Sequence, residues 1–97
     1  MPVISLPGKA LRLVSASLVS GKVLRLAFSD GSTGECDLTE ILARDTSLTR
    51  PLAQSEYFAR FFLELGALCW PNGLELSARS LHERLKRSGA LHQPATA

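Results

Sequence analysis

The feature that most constrains the fold is residues 70–76, with the sequence Trp-Pro-Asn-Gly-Leu-Glu-Leu. Proline fixes its own φ, and both asparagine and glycine tolerate positive φ, so this run is typical of a tight turn. A short apolar run precedes the turn, and Ser77 and an amphipathic stretch follow it. We therefore expect a strand to end at Trp70 and the chain to change direction before a C-terminal helix.

The size and composition describe one small globular domain. The chain has 97 residues, of which 45% are hydrophobic and 21% charged, with a net charge of +2. This length suffices for a single core. Both ends contain proline and glycine without periodicity, so we expect a flexible N-terminus at 1–10, a single α+β domain at 11–87 and a flexible tail at 88–97.

Membrane and export signals are missing from the sequence. No apolar run approaches the roughly 18 residues of a membrane span, and the first residues lack the pattern of a signal peptide. We expect a cytoplasmic protein that does not bind membranes. Cys36 and Cys69 match no zinc spacing, so we expect two buried, reduced thiols.

The first half of the chain predicts a three-strand meander. The strands are expected at 11–19, 22–28 and 33–37, and in the second of them Leu24, Leu26 and Phe28 share one face. Ser20-Gly21 and Asp30-Gly31 supply the intervening turns, and Asp-Gly is a strong hairpin signal. Asp37 or Thr39 can cap a short helix that follows. Its apolar side chains are Leu38, Ile41 and Leu42.

Residues 55–70 allow two interpretations. Ser55 can cap a helical turn through Phe58, and five apolar side chains at helical spacing extend that pattern to Leu65. These are Tyr57, Phe58, Phe61, Phe62 and Leu65. Alternatively, 60–65 is a strand with Phe61, Leu63 and Leu65 facing inward, paired with a strand at 67–70. Periodicity alone does not decide between a helix and a strand here.

The C-terminal part predicts an amphipathic helix at 78–87. Ser77 is a suitable N-cap, and Leu81 and Leu85 lie on one face at i, i+4. After Ser77 the chain carries one acidic side chain, Glu83, and four basic ones. The basic side chains are Arg79, Arg84, Lys86 and Arg87.

Several motifs together resemble the small bacterial family called domain of unknown function 2442. They are Phe28-Ser29-Asp30-Gly31, Asp37-Leu38, Leu52, Glu56-Tyr57-Phe58, Gly66, residues 70–76 and Leu81. The resemblance implies an α+β fold with a three-strand antiparallel meander, a short helical connection and a second β-hairpin, to which the sequence adds the C-terminal helix. It therefore favours a strand at 60–65. The family's genomic association with small toxin-like proteins implies an antitoxin-like or accessory role.

The polar residues do not form a pattern that predicts catalysis. Asp30, Asp37, Glu64 and Glu75 stand at turns or element ends without a histidine nearby in sequence. His82 and His92 are expected to be solvated rather than metal ligands. We expect no enzyme activity, no cofactor and no metal.

The remaining interpretation is a non-catalytic interaction or regulatory domain. If 60–65 is a strand, Phe62 points away from the core beside Ala67 and Cys69, and this apolar strip predicts a homodimer or another protein partner. An exposed sheet face or an edge strand would provide the docking surface. The alternative is a nucleic-acid-binding regulator that uses the basic C-terminal helix. The candidate interaction residues are Phe62, Trp70, Asn72, Glu75, Arg79, Arg84, Lys86 and Arg87.

Overall fold

The computed structural model describes residues 11–93, which form two antiparallel sheets joined by short helices and covered by one longer helix. The first sheet contains β1 (Leu13–Ser20), β2 (Val23–Phe28) and β3 (Thr33–Asp37). The connection contains α1 (Thr39–Leu42), a 3-10 turn (Arg50–Ala53) and α2 (Ser55–Phe58). The second sheet contains β4 (Phe62–Glu64), β5 (Ala67–Cys69) and β6 (Glu75–Leu76), and α3 (Ala78–Ser88) follows. The predicted α+β architecture is confirmed.

The first sheet is the predicted meander, in the order β1-β2-β3. Ala16 and Leu18 of β1 lie opposite Leu26 and Leu24 of β2, which are fully buried. The pairing of β1 with β2 is irregular between Leu13 and Ser15 and again between Leu18 and Ser20. The regular part of this edge strand therefore lies between two bulges.

The helical connection differs from the prediction at both caps. Leu38 occupies the N-cap position of α1 and makes no side-chain capping bond, so neither Asp37 nor Thr39 is the cap. Asp37 Oδ1 instead accepts hydrogen bonds from the backbone N–H and the hydroxyl of Thr39, at 2.9 and 2.6 Å. Ser55 is not the cap of α2, because Gln54 occupies the N-cap position and makes no side-chain capping bond. The Gln54 carbonyl instead accepts the Phe58 N–H at 2.9 Å.

The strand interpretation of residues 60–65 is confirmed, and the continuous helix that periodicity suggested is wrong. α2 ends at Phe58, and β4 pairs antiparallel with β5. Phe61 and Leu63 are half-buried against the core, as the strand interpretation required. Leu65, however, was expected to face inward and is 96% exposed with φ of 52°. Leu65 and Gly66 are the two central residues of the hairpin turn, which explains the failure.

The Trp-Pro-Asn-Gly segment forms the predicted turn and leads into a strand that was not predicted. The Trp70 N–H donates to the Leu74 carbonyl at 3.0 Å, and the Gly73 N–H donates to the Trp70 carbonyl at 3.0 Å. The chain then returns along β5 as β6, so the second sheet has three strands rather than two.

Helix α3 covers the first sheet and has the predicted cap. Ser77 Oγ accepts the Ser80 N–H at 3.2 Å, and Leu81 and Leu85 are buried in the core. The helix approaches β3 closely, since a Cβ at Gly34 would lie 2.9 Å from Leu85 Cδ1 and 2.8 Å from the carbonyl oxygen of Ala90, which follows the helix. Glycine at position 34 is therefore a condition of this packing.

The described chain continues past the boundary predicted at Arg87. Helix α3 ends at Ser88, and the Thr33 and His92 backbones exchange hydrogen bonds of 2.9 and 2.7 Å. The fold thus extends to His92, where it adds one antiparallel bridge to β3. The flexible N-terminus predicted at 1–10 and the last residues of the predicted tail, 94–97, lie outside the described residues.

One core joins all of these elements. It includes side chains from both sheets, α1, α2 and α3, with Trp70 and Phe58 completely or almost completely buried. Cys36 and Cys69 are both buried and free, as predicted. Within residues 11–93, no helix has the length and apolar character needed to cross a membrane.

Two aspartates form local hydrogen bonds, one in the β2–β3 turn and one at the end of β3. Asp30 Oδ1 accepts the backbone N–H of Ser32 at 2.9 Å and the Ser32 hydroxyl at 2.5 Å. The side-chain bond from Ser32 is the main cause that lowers the pKa of Asp30 below its ordinary value of 3.8. The hydrogen bonds from Thr39 lower the pKa of Asp37 in the same way.

These pKa values predict a loss of stability on the acid side. A carboxyl group whose pKa is lower in the folded protein stabilises the fold above its unfolded pKa, and this contribution disappears as the pH falls through the folded pKa. Thermal unfolding should therefore show a falling midpoint below about pH 4. Asp30→Asn/Asp37→Asn should be less stable at neutral pH and should lose less stability on acidification. An equally steep acid loss in the double variant would contradict this assignment.

Trp70→Ala should destabilise the fold by about 3 to 5 kcal/mol, because it removes a fully packed ring from the core. Trp70→Phe keeps most of the apolar volume and loses the indole N–H, so it should cost about 1 to 3 kcal/mol. Urea unfolding followed by circular dichroism measures both values. Wild-type stability in Trp70→Ala would show that the ring is not part of the core.

Leu65→Asn should stabilise the protein, because leucine at positive φ costs about 1 to 2 kcal/mol and asparagine tolerates this conformation. The side chain is 96% exposed, so little apolar contact is lost. Leu48→Asn is the matched control: Leu48 is also exposed, at 42%, but its φ is not positive. A rise in the unfolding midpoint for Leu65→Asn alone is expected, and an equal or lower midpoint would argue against strain at this turn.

Candidate interaction surfaces

Two of the predicted interaction residues have structural roles. The Trp70 indole N–H donates to the Phe58 carbonyl at 2.9 Å, and the ring is 1% exposed. Asn72 Nδ2 donates to the Leu48 carbonyl at 2.9 Å, while Asn72 Oδ1 accepts the Leu74 N–H at 3.2 Å. The turn thus ties the second sheet to α2 and to the loop that contains Leu48.

The predicted apolar strip around Phe62 is smaller than expected. Phe62 is 42% exposed and lies opposite Cys69, so its outward position is correct. Ala67 and Cys69 were expected to extend this strip, but they are only 8% and 7% exposed. Phe62 therefore contributes a single exposed ring. Glu75 is exposed on β6, opposite Cys69.

The Cys69 thiol, on β5 of the β4–β5 hairpin, lacks the lowered pKa of a nucleophilic cysteine. Burial is the main cause that raises the pKa of Cys69, and the nearby carboxylates of Glu75 and Glu64 raise it further. Burial also raises the pKa of Cys36. Both thiols are therefore protonated at neutral pH, whereas reactive cysteines have lowered pKa values.

The four basic residues of α3 do not form an uninterrupted positive surface. Arg84 is half-buried and forms an ion pair with Glu40 of α1 at 2.7 Å. Arg79, Lys86 and Arg87 are exposed. Glu83 lies one helical turn from both Arg79 and Arg87, so a negative charge stands between them on the same helix face.

A contact between Asp30 and His82 was missed in the sequence. His82 Nε2 lies 3.2 Å from Asp30 Oδ2, and the imidazole meets the Phe28 ring edge to face at 5.0 Å between centroids. The His82 side chain is only 17% exposed, so the expectation of a solvated histidine is wrong. The pair joins α3 to the β2–β3 turn. Among residues 11–93, no cluster of three or more His, Cys, Asp or Glu side chains is arranged to hold a metal ion.

Among residues 11–93, three of the six exposed large hydrophobic side chains lie on β1, which the sequence analysis did not single out. Val14, Leu18 and Val19 are 57%, 47% and 41% exposed. β1 is an edge strand, and β2 occupies one of its sides. On the other side, the Leu13 N–H donates to the Gly66 carbonyl at 2.9 Å. From Ser15 to Ser20, no other described backbone group bonds to that side.

The sequence of β1 contains an indication that the strand is exposed. The strand reads Leu-Val-Ser-Ala-Ser-Leu-Val-Ser and contains neither a charge nor a proline. Two Leu-Val pairs break the alternation of apolar and polar residues, and a strand cannot bury both members of such a pair on one face. The second residues of these pairs, Val14 and Val19, are exposed next to the irregular pairings.

A comparison with known proteins places this fold in a family. A family model described as "Protein of unknown function (DUF2442)" matches residues 13–87, from the start of β1 to the last turn of α3. No curated protein and no solved structure matches the chain. The match covers more than half of the sequence and carries no assigned activity. The chain belongs to the DUF2442 family of proteins of unknown function.

Proposed function

We propose that this protein is a non-catalytic interaction domain that forms a homodimer through the open edge of β1. The observation that carries this proposal is the combination of three exposed aliphatic side chains with an uncharged edge strand of eight residues. Proteins usually protect such edges with charged residues, proline or a short strand, because unpaired backbone groups recruit other strands. β1 has none of these three protections.

The bulges of β1 limit the proposed surface to a short segment. Pairing with β2 is regular from Ser15 to Leu18 and irregular on either side. Bulges themselves discourage strand pairing. A partner strand can therefore dock only over the centre of β1 and its immediate flanks, and we expect association at micromolar rather than nanomolar concentration.

A second copy of this chain suits the edge electrostatically. In a two-fold dimer, residues near the axis meet their own copies, so any charge there faces a like charge. β1 has no charged residue, and the net charge of the whole chain is only +2. Self-association through β1 therefore brings no like charges of the strand together. Self-association through a strand that carries charged residues would be opposed by their repulsion.

The broader role we propose is that of an antitoxin-like or accessory subunit, for which a second protein partner would use a surface other than β1. Two free, buried thiols are compatible with the reducing cytoplasm. Phe62 and Leu65 on the β4–β5 hairpin provide a further exposed apolar surface for such a partner.

Nucleic-acid binding through α3 is the weaker candidate. It is supported by the exposed side chains of Arg79, Lys86 and Arg87. It is opposed by Glu83 and by the Arg84–Glu40 ion pair, which reduce the four positive charges of α3 to a net charge of +2. We expect only weak duplex binding that moderate salt abolishes. Fluorescence anisotropy with a labelled duplex at increasing salt measures it, and tight binding that weakens steeply with salt and is lost in Arg79→Ala/Arg87→Ala would favour this candidate instead.

Lysines on the β1 edge should dissociate the proposed homodimer. In Val14→Lys/Leu18→Lys, the dimer would carry four like charges along the shared edge, so its dissociation constant should rise by roughly tenfold or more. Sedimentation equilibrium measures the constant, and circular dichroism checks that the variant is folded. Leu48→Lys is the matched control, because Leu48 is similarly exposed but lies in the α1–α2 connection. It should dimerise like the wild type.

Phe62→Glu distinguishes this surface from the hairpin. If β1 is the interface, Phe62→Glu remains a dimer. If Phe62→Glu is a folded monomer while Val14→Lys/Leu18→Lys still dimerises, the interface is the β4–β5 hairpin. A wild-type protein that remains monomeric at high concentration would overturn the proposal.

A further inference from the structure

We infer that the two copies of β1 pair antiparallel about a two-fold axis that passes between the two Ala16 residues. This register deepens the proposed self-association and rests on it. It joins the β1-β2-β3 sheets of the two subunits into one continuous sheet. It also identifies the residues that let β1 select its own copy.

The first reason is the local symmetry of the sequence around Ala16. Ser15 and Ser17 flank the alanine, and Val14 and Leu18 follow on either side. In the antiparallel register centred on Ala16, each serine therefore lies opposite a serine, and each aliphatic residue lies opposite an aliphatic residue. Cross-strand serine pairs and apolar pairs each stabilise a sheet.

The second reason is a rule of parity. Ala16 and Leu18 share the core side of the sheet, because they lie opposite Leu26 and Leu24, whereas Ser15 and Ser17 share the other side. A two-fold axis perpendicular to the sheet keeps each residue on its own side, and a slip of one residue exchanges the sides. The axis must therefore pass between two copies of the same residue. An axis between adjacent positions would pair residues from opposite sides of the sheet.

The third reason is that the other registers allowed by parity pair unlike residues. An axis at Ser17 places Ser15 opposite Val19, and an axis at Leu18 places Ser17 opposite Val19. An axis at Ser15 places Leu13 opposite Ser17, although the outward N–H of Leu13 already bonds to Gly66. The Ala16 register alone matches residue types across the whole segment from Val14 to Leu18.

The structure also sets the ends of this pairing. At one end the β4–β5 turn lies against the start of β1, where Gly66 accepts the Leu13 N–H and a Cβ at Gly66 would lie 2.6 Å from Arg12 Cβ. At the other end the pairing with β2 becomes irregular after Leu18. By two-fold symmetry, each end of one strand meets the opposite end of its partner. The segment between Leu13 and Val19 is thus residues 14–18, whose middle residue is Ala16; Val14 lies within the irregular pairing at its start, so the regularly paired part is residues 15–18.

Two single-cysteine variants test the register. Ser15→Cys and Ser17→Cys are prepared separately as full-length protein and then mixed at equal concentration to allow exchange of subunits. In the Ala16 register, position 15 of one subunit lies directly opposite position 17 of the other, with Cβ atoms about 4.5 to 5.5 Å apart. Within either variant alone, the two cysteines are diagonal neighbours about 7 to 8 Å apart, which exceeds the reach of a disulfide.

Mild oxidation followed by non-reducing electrophoresis and intact mass measures the covalent dimer. We expect the disulfide-linked dimer in the mixture and little of it in either variant alone. The wild type, which retains the buried Cys36 and Cys69, and Leu48→Cys are controls that should not cross-link. Sedimentation equilibrium on each reduced variant establishes beforehand that it still dimerises.

The outcomes separate the register from the proposed function. Cross-linking of Ser17→Cys alone would place the axis at Ser17, and cross-linking of Ser15→Cys alone would place it at Ser15; either result overturns the Ala16 register and leaves dimerisation through β1 in place. A dimer that cross-links in none of these samples also overturns the register. A protein that is monomeric before oxidation overturns the proposed function itself.

Discussion

The hydrogen-bonded ring of Trp70 is the contact on which the rest of the structure depends. Its indole N–H reaches back to the carbonyl of Phe58 at the end of α2, while its own backbone N–H bonds to Leu74 across the following turn. Its ring packs against Phe58 at 5.7 Å between centroids. One buried residue therefore fixes the end of a helix, the end of β5 and the turn into β6. A buried indole without an acceptor would be costly, so these elements are ordered together.

The position of the second sheet decides which surfaces of the first remain open. Because Trp70 holds β5 in the core, the β4–β5 turn lies beside the start of β1, where Gly66 bonds to Leu13. Helix α3 and the bridge between Thr33 and His92 occupy the opposite side of the sheet at β3. Within the described part of the chain, the centre of β1 is left as the exposed edge of the first sheet. The proposed dimer interface is thus a consequence of how the core is assembled.

Local signals predicted most of the fold, whereas contacts between distant segments could not be predicted from them. The Asp30-Gly31 turn and the Ser77 cap depend on neighbouring residues, and both were found where they were expected. The strand at Phe62 needed the family resemblance, because five apolar residues at helical spacing predicted a helix. The inward position predicted for Leu65 was wrong. Leucine has no preference for β-turns, yet residue 65 occupies a turn position with φ of 52°.

The candidate site was less predictable than the fold. Asp30 and His82 are 52 residues apart in sequence, and no pattern in the chain indicates that α3 brings them together. Ala67 and Cys69 were expected on an open face, but alternation of side chains does not reveal what covers a face. Val14 and Val19 are exposed because β1 is irregular at both ends, and bulges depend on the register with β2. The absence of charge on β1 was visible in the sequence, and its meaning required the knowledge that β1 is an edge.

Amide hydrogen exchange as a function of protein concentration tests the central claim, that a second copy covers β1, most directly. Backbone amides between Ser15 and Leu18 that point away from β2 should become protected as the concentration rises through the dimerisation range. Amides of β2, which pair within one subunit, should be unchanged over that range. Exchange in β1 that is equally fast at all concentrations, together with protection that rises elsewhere on the surface, would contradict the account.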